Sequence, residues 1–211
     1  MLAGDPCSRS GSTDDEWTPA PDAQMARRAF AAPLPPRPDD IMIADVTYLP
    51  ECSAHHGEIE HLNEEAFGPG RFARAAYKIR EGGPHDLRLS FVAMHGGAVI
   101  ASVRMTPVAA GDGRGHLLGP LAVRPAFKNL GIGRHLVKLA LEAAAKSGLA
   151  AVLLVGDEPY YGPLGFCRVP RGQLTMPRPV DPDRILVAEI EPGAAARFSG
   201  ELRHAAEWQG G

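Results

Sequence analysis

The sequence predicts a mixed α/β domain built around one sheet. Three observations carry that expectation. Two alternating apolar runs meet at Gly96 and Gly97, a long amphipathic stretch covers residues 131–147, and a short apolar run, AVLLVG at 151–156, follows it directly.

In chain order, IMIADVTYL (41–49) predicts a first strand. LPECSAHHGEIEHLNEEAF (49–67) predicts a helix with Ile59, Leu62 and Ala66 on one face. GPGRFARAAYKIREGG (68–83) gives a turn, a short helix through Ile79 and a glycine stop. In LSFVAMHGGAVIASVRMTPV (89–108) the glycine pair predicts a hairpin with a two-residue turn, and Val99, Ala101, Val103 and Met105 are expected on one face. After GDGRG comes another strand, HLLGPLAV (116–123), with Gly119 and Pro120 in its middle. That pair predicts a bulge or the loss of a neighbour, because proline has no N–H for a ladder. The helix from Gly131 to Ser147 keeps Ile132, Leu136, Leu139, Ala140 and Ala143 on one side and stops at Gly148. AVLLVG then reads as a buried strand, EPYYGPLGF (158–166) as a short helix or turn, and RILVAEI (184–190) as a late strand.

Composition narrows the function classes. Apolar content of 45% and charged content of 22% are those of a soluble globular chain, and the net charge of −3 predicts no nucleic-acid or anionic-membrane partner. Cys7, Cys52 and Cys167 are odd in number and far apart, which argues against a disulfide frame and for a reducing compartment. No apolar run approaches the ~20 residues that cross a bilayer. A cytoplasmic protein is expected. Residues 1–40 are rich in proline, small and charged residues without apolar periodicity, so a disordered tail is expected ahead of a domain over 41–192. Met25 is a second candidate start. Residues 193–211 form an extension with two open fates, a contact in a homodimer or a free tail.

The segment FKNLGIGRHLV (127–137) holds two glycines where a helix begins, each costing about 1 kcal/mol relative to alanine. Three uses remain open. The glycines let the helix pack closely on the sheet; or they belong to a dinucleotide loop, with Asp157 as the ribose contact; or they clear the approach of a diphosphate to the free amides of the first turn. The dinucleotide use lacks its third glycine, since Leu136 occupies that position, and the preceding strand ends about eight residues too early. A Walker-type phosphate loop is excluded, since no Gly-Lys-Ser/Thr follows. Lys128 and Arg134 flank the glycines with the charge that a diphosphate needs.

LAVRPAFKNLGIGRHLVKLALEAA (121–144) resembles motif A of the GNAT acyltransferase superfamily, and VLLVGDEPYYGPLGF (152–166) resembles its motif B. AFGPGRFARAAYKIREG and LLGPLAV are most similar to the YhbS-like branch. The resemblance covers about residues 41–190. One departure is that Lys128 stands where glutamine or arginine is usual, giving a point charge in place of a planar fork.

The resemblance implies a single GNAT-like domain with a mostly antiparallel mixed sheet, flanking helices, and fourth and fifth strands that splay apart. It implies acetyl-CoA as co-substrate and direct transfer of the acetyl group to a primary amine. Leu121 N–H would polarise the thioester carbonyl and stabilise its oxyanion. Leu121, Ala122 and Val123 would line the pantetheine arm, and Lys128, Asn129, Leu130, Gly131, Ile132, Gly133 and Arg134 the pyrophosphate. Tyr161, five residues before Phe166, would be the general acid; an aromatic packing role is its alternative. Tyr160 is one residue off register and is expected to pack or to line the acceptor site. His116 is the candidate base on the fourth strand. Asp157 and Glu158 would relay a proton, attract an amine, or simply start a helix.

The same resemblance leaves room for a longer acyl-CoA, for acyl carrier protein as donor, and for a non-catalytic acyl-CoA-binding module. The cluster His55, His56, Glu58 and His61 lacks a paired ligand spacing with a third partner, so no metal is expected. Cys167 is expected as a core thiol. Arg71, Arg74, Lys78 and Arg80 make the second helix basic, as a solvated face or as a border for an acidic substrate or carrier.

Overall fold

In a computed structural model the described residues are 45–207. The strands in chain order are β1 (Thr47–Pro50), β2 (Phe91–His95), β3 (Ala98–Ala110), β4 (Gly113–Val123), β5 (Ala151–Val155), β6 (Cys167–Arg168), β7 (Leu174–Thr175), β8 (Ile185–Glu189), β9 (Gly200–Glu201) and β10 (Arg203–His204). The helices are α1 (His56–Phe67), α2 (Ala75–Arg80), α3 (Ile132–Lys146) and α4 (Glu158–Tyr161). The main sheet has the order β1-β2-β3-β4-β5-β8-β6, with β10 added beside β3, and β7 pairs with β9 apart from it. All ladders of the main sheet are antiparallel except β4–β5.

The amphipathic patterns bury most of what they predict: of the expected faces, Ala66 of α1 and Leu139 and Ala143 of α3 are only half-buried, while Val137 and Ala144 are buried in addition. Ile59 and Leu62 of α1 are fully buried against Val92, Val99 and Ala122. On the other face of the sheet, Leu136, Val137, Ala140 and Ala144 of α3 pack on Ala101, Val103, Met105 and Leu118. Val99 therefore does not share a face with Ala101, Val103 and Met105 as expected. The pairing runs Ala93 with Ala101 and Met94 with Val99, so Ile100 is an extra residue that reverses the alternation. α1 begins at His56, after a 3-10 turn over Ser53–His55, and the first strand is shorter than expected. Residues 41–44 of that expected strand, the tail over 1–40 and the alternative start at Met25 lie outside the described residues.

Cys167 is exposed, which corrects its expected place in the core. Both residues of the two-residue edge strand β6 face solvent, and Phe166, one residue earlier, takes the buried position. The extension also folds back as far as it is described. Phe198 and Leu202 are buried, β9 pairs with β7, and β10 pairs with β3 at Ala109 and Val108. The Phe198 ring lies on β4: a Cβ at Gly113 would come within 2.4 Å of it, and one at Gly115 within 3.1 Å.

The feature that positions the site is a fork between β4 and β5. These strands pair only through His116 with Val152 and Leu117 with Leu153. Beyond them, Met105 of β3 faces Leu118 while Val103 faces Leu121, so Gly119 and Pro120 both stand opposite Arg104. This bulge turns β4 away from β5. Gly119 has φ +123°, a region that side chains strongly disfavour, and Pro120 offers no N–H for a ladder.

Candidate active site

The fork opens into two cavities. The smaller, about 560 Å³, is lined by Leu121, Ala122 and Val123 of β4, by Lys128, Asn129, Gly131, Ile132, Gly133 and Arg134, and by Tyr160 and Tyr161. Nine of the ten residues expected around a bound cofactor thus line one space. Leu130, the tenth, instead packs against the core beneath α3.

The loop's backbone explains the glycines. Gly131 caps α3 at φ +79°, and Asn129 also has a positive φ of +65°. These turns leave the amides of residues 129–134 without a backbone carbonyl among the described residues; the first amide to find one is His135, which donates to Gly131 O at 3.0 Å. The unpaired amides and the positive end of a fifteen-residue helix make an anion cradle. A Cβ on Gly133 would meet the Tyr160 hydroxyl at 3.0 Å and the Val123 and Leu121 side chains at 3.5 and 3.7 Å, so any larger side chain there would crowd Tyr160 and fill the cradle. A diphosphate fits this donor set, with Lys128 and Arg134 beside it. Asp157 is not in this cavity, so the dinucleotide alternative loses its ribose partner.

The β4 wall contributes amides too. Arg124 N–H donates to Ile100 O at 2.8 Å, toward β3. Successive strand amides point to opposite edges, so those of Leu121 and Val123 are directed into the fork.

The larger cavity, about 870 Å³, lies on the α1 and α2 side of the sheet. Asp157 lines it and pairs with Arg184 at 3.1 Å. Phe67, Leu121 and Tyr161 line both cavities, so the two spaces meet there. Tyr161 is held by an edge-to-face contact with Tyr160 at 4.7 Å and another with Phe166 at 5.8 Å. A Cβ at Gly156 would lie 2.3 Å from its ring. Burial, with Tyr160 and Asp157 nearby, pushes the Tyr161 hydroxyl up to about 12. Tyr160 faces the smaller cavity, and the Arg134 guanidinium stands 5.4 Å from its ring centroid.

Besides Leu130, two expected site residues fall outside both cavities. Glu158 forms an ion pair with Arg168 at the surface. His116 is buried, neither ring nitrogen has a hydrogen-bond partner among the described residues, and Asp86 lies 3.8 Å away. Burial pushes the imidazole down, against the opposing pull of the Asp86 carboxylate.

The structure adds residues that the motifs did not mark. Arg104, opposite the bulge, donates through Nε and Nη2 to Glu51 and through Nη1 to Glu60 at 2.6 Å. His85 also meets Glu51, at 3.1 Å. Burial alone would raise the Glu51 carboxyl, but the hydrogen bonds from His85 and Arg104 hold it below its ordinary range. An arginine within an otherwise uncharged strand was the available signal. His56 is drawn into the same network, Glu58 accepts from Val99 N–H, and His55 contacts Cys52. Those side chains are thereby committed to structural contacts.

Residues 56–166 match the model of the acetyltransferase (GNAT) family. No curated protein matches the sequence. Among solved structures, the GNAT family N-acetyltransferase YhbS from Escherichia coli in complex with CoA has a TM-score of 0.65 at 24% identity, over 76% of this chain and 89% of that one. A GNAT family acetyltransferase from Brucella melitensis in complex with acetyl-CoA has 0.57 at 24% identity, over 76% and 97%. The ribosomal-protein-S18-alanine N-acetyltransferase from Escherichia coli has 0.50 at 19% identity, over 69% and 94%. These likenesses speak for the fold. The family match spans more than half of the sequence and contains both the glycine cradle and Tyr161, and by it the chain belongs to the acetyltransferase (GNAT) family.

Proposed function

We propose that this protein transfers an acetyl group from acetyl-CoA to a primary amine by direct attack within a ternary complex. The observation that carries the proposal is that two cavities, one floored by an anion cradle, meet at Leu121 and Tyr161. Bound acetyl-CoA supplies the activated acyl group as a thioester. The amides of residues 129–134, with Lys128 and Arg134, hold its diphosphate, and the Val123 backbone aligns its arm along the fork. Leu121 N–H donates to the carbonyl oxygen, where negative charge develops during attack.

Tyr161 donates its proton to the departing thiolate. A hydroxyl pushed up to about 12 remains protonated at neutral pH, as a general acid must. The amine enters through the larger cavity and loses its proton toward Asp157 or His85, which line it. His116 lines neither cavity and takes no part. The motifs shared with the YhbS-like branch, and a cytoplasmic location suited to an acetyl-CoA enzyme, belong to the same proposal. Among the described residues, no helix is long and apolar enough to cross a membrane.

Calorimetric titration with acetyl-CoA tests the first half. Micromolar binding is expected, and Gly133→Leu should abolish it by filling the cradle. Tyr161→Phe tests the second half: acetyl-CoA affinity is retained while kcat falls about 10²–10⁴-fold. Wild-type protein that binds no acetyl-CoA, or a Tyr161→Phe variant with undiminished kcat, would overturn the corresponding half.

A further inference from the structure

The larger cavity contains an unanswered positive charge. The Arg80 guanidinium, at the end of α2, forms no hydrogen bond or ion pair with any described residue, and its Nε is shut off from solvent. Two further polar atoms of residues in the same cavity wall are buried without partners among the described residues: Asn63 Oδ1 from α1 and Thr106 Oγ1 from β3. Three elements thus present unused polar groups to one space. Buried polar groups are nearly always paired, and an unpaired buried cation is costly, so the arrangement calls for a ligand.

The surrounding carboxylates do not answer Arg80, because each already has a partner. Glu60 is taken by Arg104, Glu81 by Lys78 at 2.5 Å, and Asp157 by Arg184. Asp181 accepts from the backbone of Asp183 at 3.0 Å. The nearby cations Arg104 and Arg74 add to the positive field around Arg80. Burial first, then those two neighbours, pushes its guanidinium down to about 10, which still leaves it charged at neutral pH.

Its place relative to the fork limits the ligand's size. A Cβ built on Gly119 would lie 3.1 Å from Arg80 Nη2 and 3.6 Å from Leu121 N, so the two nitrogens are at most about 7 Å apart. Under the proposed function, Leu121 N marks the acyl carbonyl. An amine attacking there can reach Arg80 with an anionic group only a few bonds from its nitrogen.

We propose that the acceptor is a small primary amine carrying its own anionic group, a carboxylate or phosphonate-type oxyanion, which Arg80 binds with support from the Thr106 hydroxyl, while Asn63 Oδ1, an acceptor, is left to receive a hydrogen bond from a donor of the ligand. The inference rests on the transferase reading for the identity of the amine, but the anion site itself does not. Polyamines and basic peptide segments would bring a second positive charge against Arg80 and are disfavoured. The recessed guanidinium also selects a group that enters the cavity over the surface of an acidic carrier protein.

The test pairs amines that differ only in charge. Glycine, β-alanine and aminomethylphosphonate are compared with glycinamide as acceptors, using the full-length protein with acetyl-CoA and following thiol release. The expected result is an anionic-over-amide preference of about 10- to 100-fold in kcat/KM. In Arg80→Met that ratio collapses toward one, Arg80→Lys recovers part of it, and acetyl-CoA affinity stays at the wild-type value. A wild-type enzyme that uses glycinamide as well as the anionic amines, or an Arg80→Met variant that keeps the preference, overturns the proposal.

A second readout needs no turnover. N-acetylglycine should raise the melting temperature of the wild-type protein, whereas N-acetylglycinamide should not, and Arg80→Met should lose the difference. If acetyl-CoA fails to bind, or no amine in the panel turns over, this comparison alone decides. A shift confined to the carboxylate and to Arg80-containing protein upholds the anion site even as the transferase reading falls. Equal shifts, or none, overturn it.

Discussion

Replacing Gly156 by alanine should dislodge Tyr161 from its place between the two cavities. The added Cβ would lie 2.3 Å from Tyr161 Cε2, 2.7 Å from Cδ2 and 2.8 Å from Leu154 Cδ1. Carbon atoms rest at about 3.5–4.0 Å, so the ring must retreat by roughly 1 Å or more. It has little room to do so, because Tyr160 and the buried Phe166 abut it. Overpacking of this kind costs about 1–3 kcal/mol, and each kcal/mol lowers the melting temperature of a domain this size by about 2–4 °C. A displacement near 1 Å also costs about 10²-fold in kcat. Gly156 does not line the cavity of the anion cradle, so the acetyl-CoA affinity proposed for it should change less than kcat.

Thermal melting and thiol-release kinetics measure the two effects. Gly162→Ala is the control: its Cβ would meet nothing closer than Glu158 Cγ at 3.8 Å, and its backbone is helical, so it should be neutral or slightly stabilising. A Gly156→Ala protein with wild-type melting temperature and kcat would refute the idea that this contact fixes Tyr161.

Two other outcomes follow from buried charge. Arg104→Met leaves the Glu51 carboxylate, 1% exposed, without its main partner; a loss of about 3–5 kcal/mol in urea unfolding is expected, and adding Glu51→Gln should restore part of it. His116 has its folded pKa below the ordinary value, so the unfolded chain takes up the proton first as pH falls. Its contribution therefore weakens the fold below about pH 6.5. His116→Phe should narrow the stability difference between pH 7.5 and pH 5, and an unchanged difference would show that another group causes it.

The parts of this fold that could be read from sequence are those whose signals are local. The α3 face repeats every three or four residues, and Gly96–Gly97, Gly131 and the Gly119–Pro120 pair each constrain the backbone where they stand. Lys128, Gly131, Gly133 and Arg134 were legible from the loop itself, because free amides and flanking charge gather where that loop opens a helix, whereas Leu121, Ala122, Val123, Asn129 and Ile132 came from the resemblance to motif A. Val99 was misplaced because the bulge at Ile100 comes from pairing with β2 and leaves no mark in the strand itself. Cys167 was misplaced because edge position is a property of the whole sheet. Arg80 looked like one of four similar cations in and just before α2; what sets it apart is enclosure by α1, β3 and β4, which no periodicity on α2 encodes. The committed charges of Glu60, Glu81 and Asp157 are likewise visible only after residues distant in sequence have met.

The strand β3 serves two neighbours along one edge, β2 beside its first half and β10 beside its second. During synthesis the hairpin of β3 and β4 is complete long before β10 leaves the ribosome. Until then the backbone at Val108 and Ala109 lacks β10, and the shallow hollow over Gly113 and Gly115 waits for Phe198. A nascent chain stalled before Phe198 should therefore be sticky and sensitive to protease, however well its cradle has formed. Release of the last strand would act as the latch that ends this vulnerable interval, and a pulse-labelling or protease time course on arrested chains of increasing length would show protection arriving only once Leu202 and His204 are free to dock.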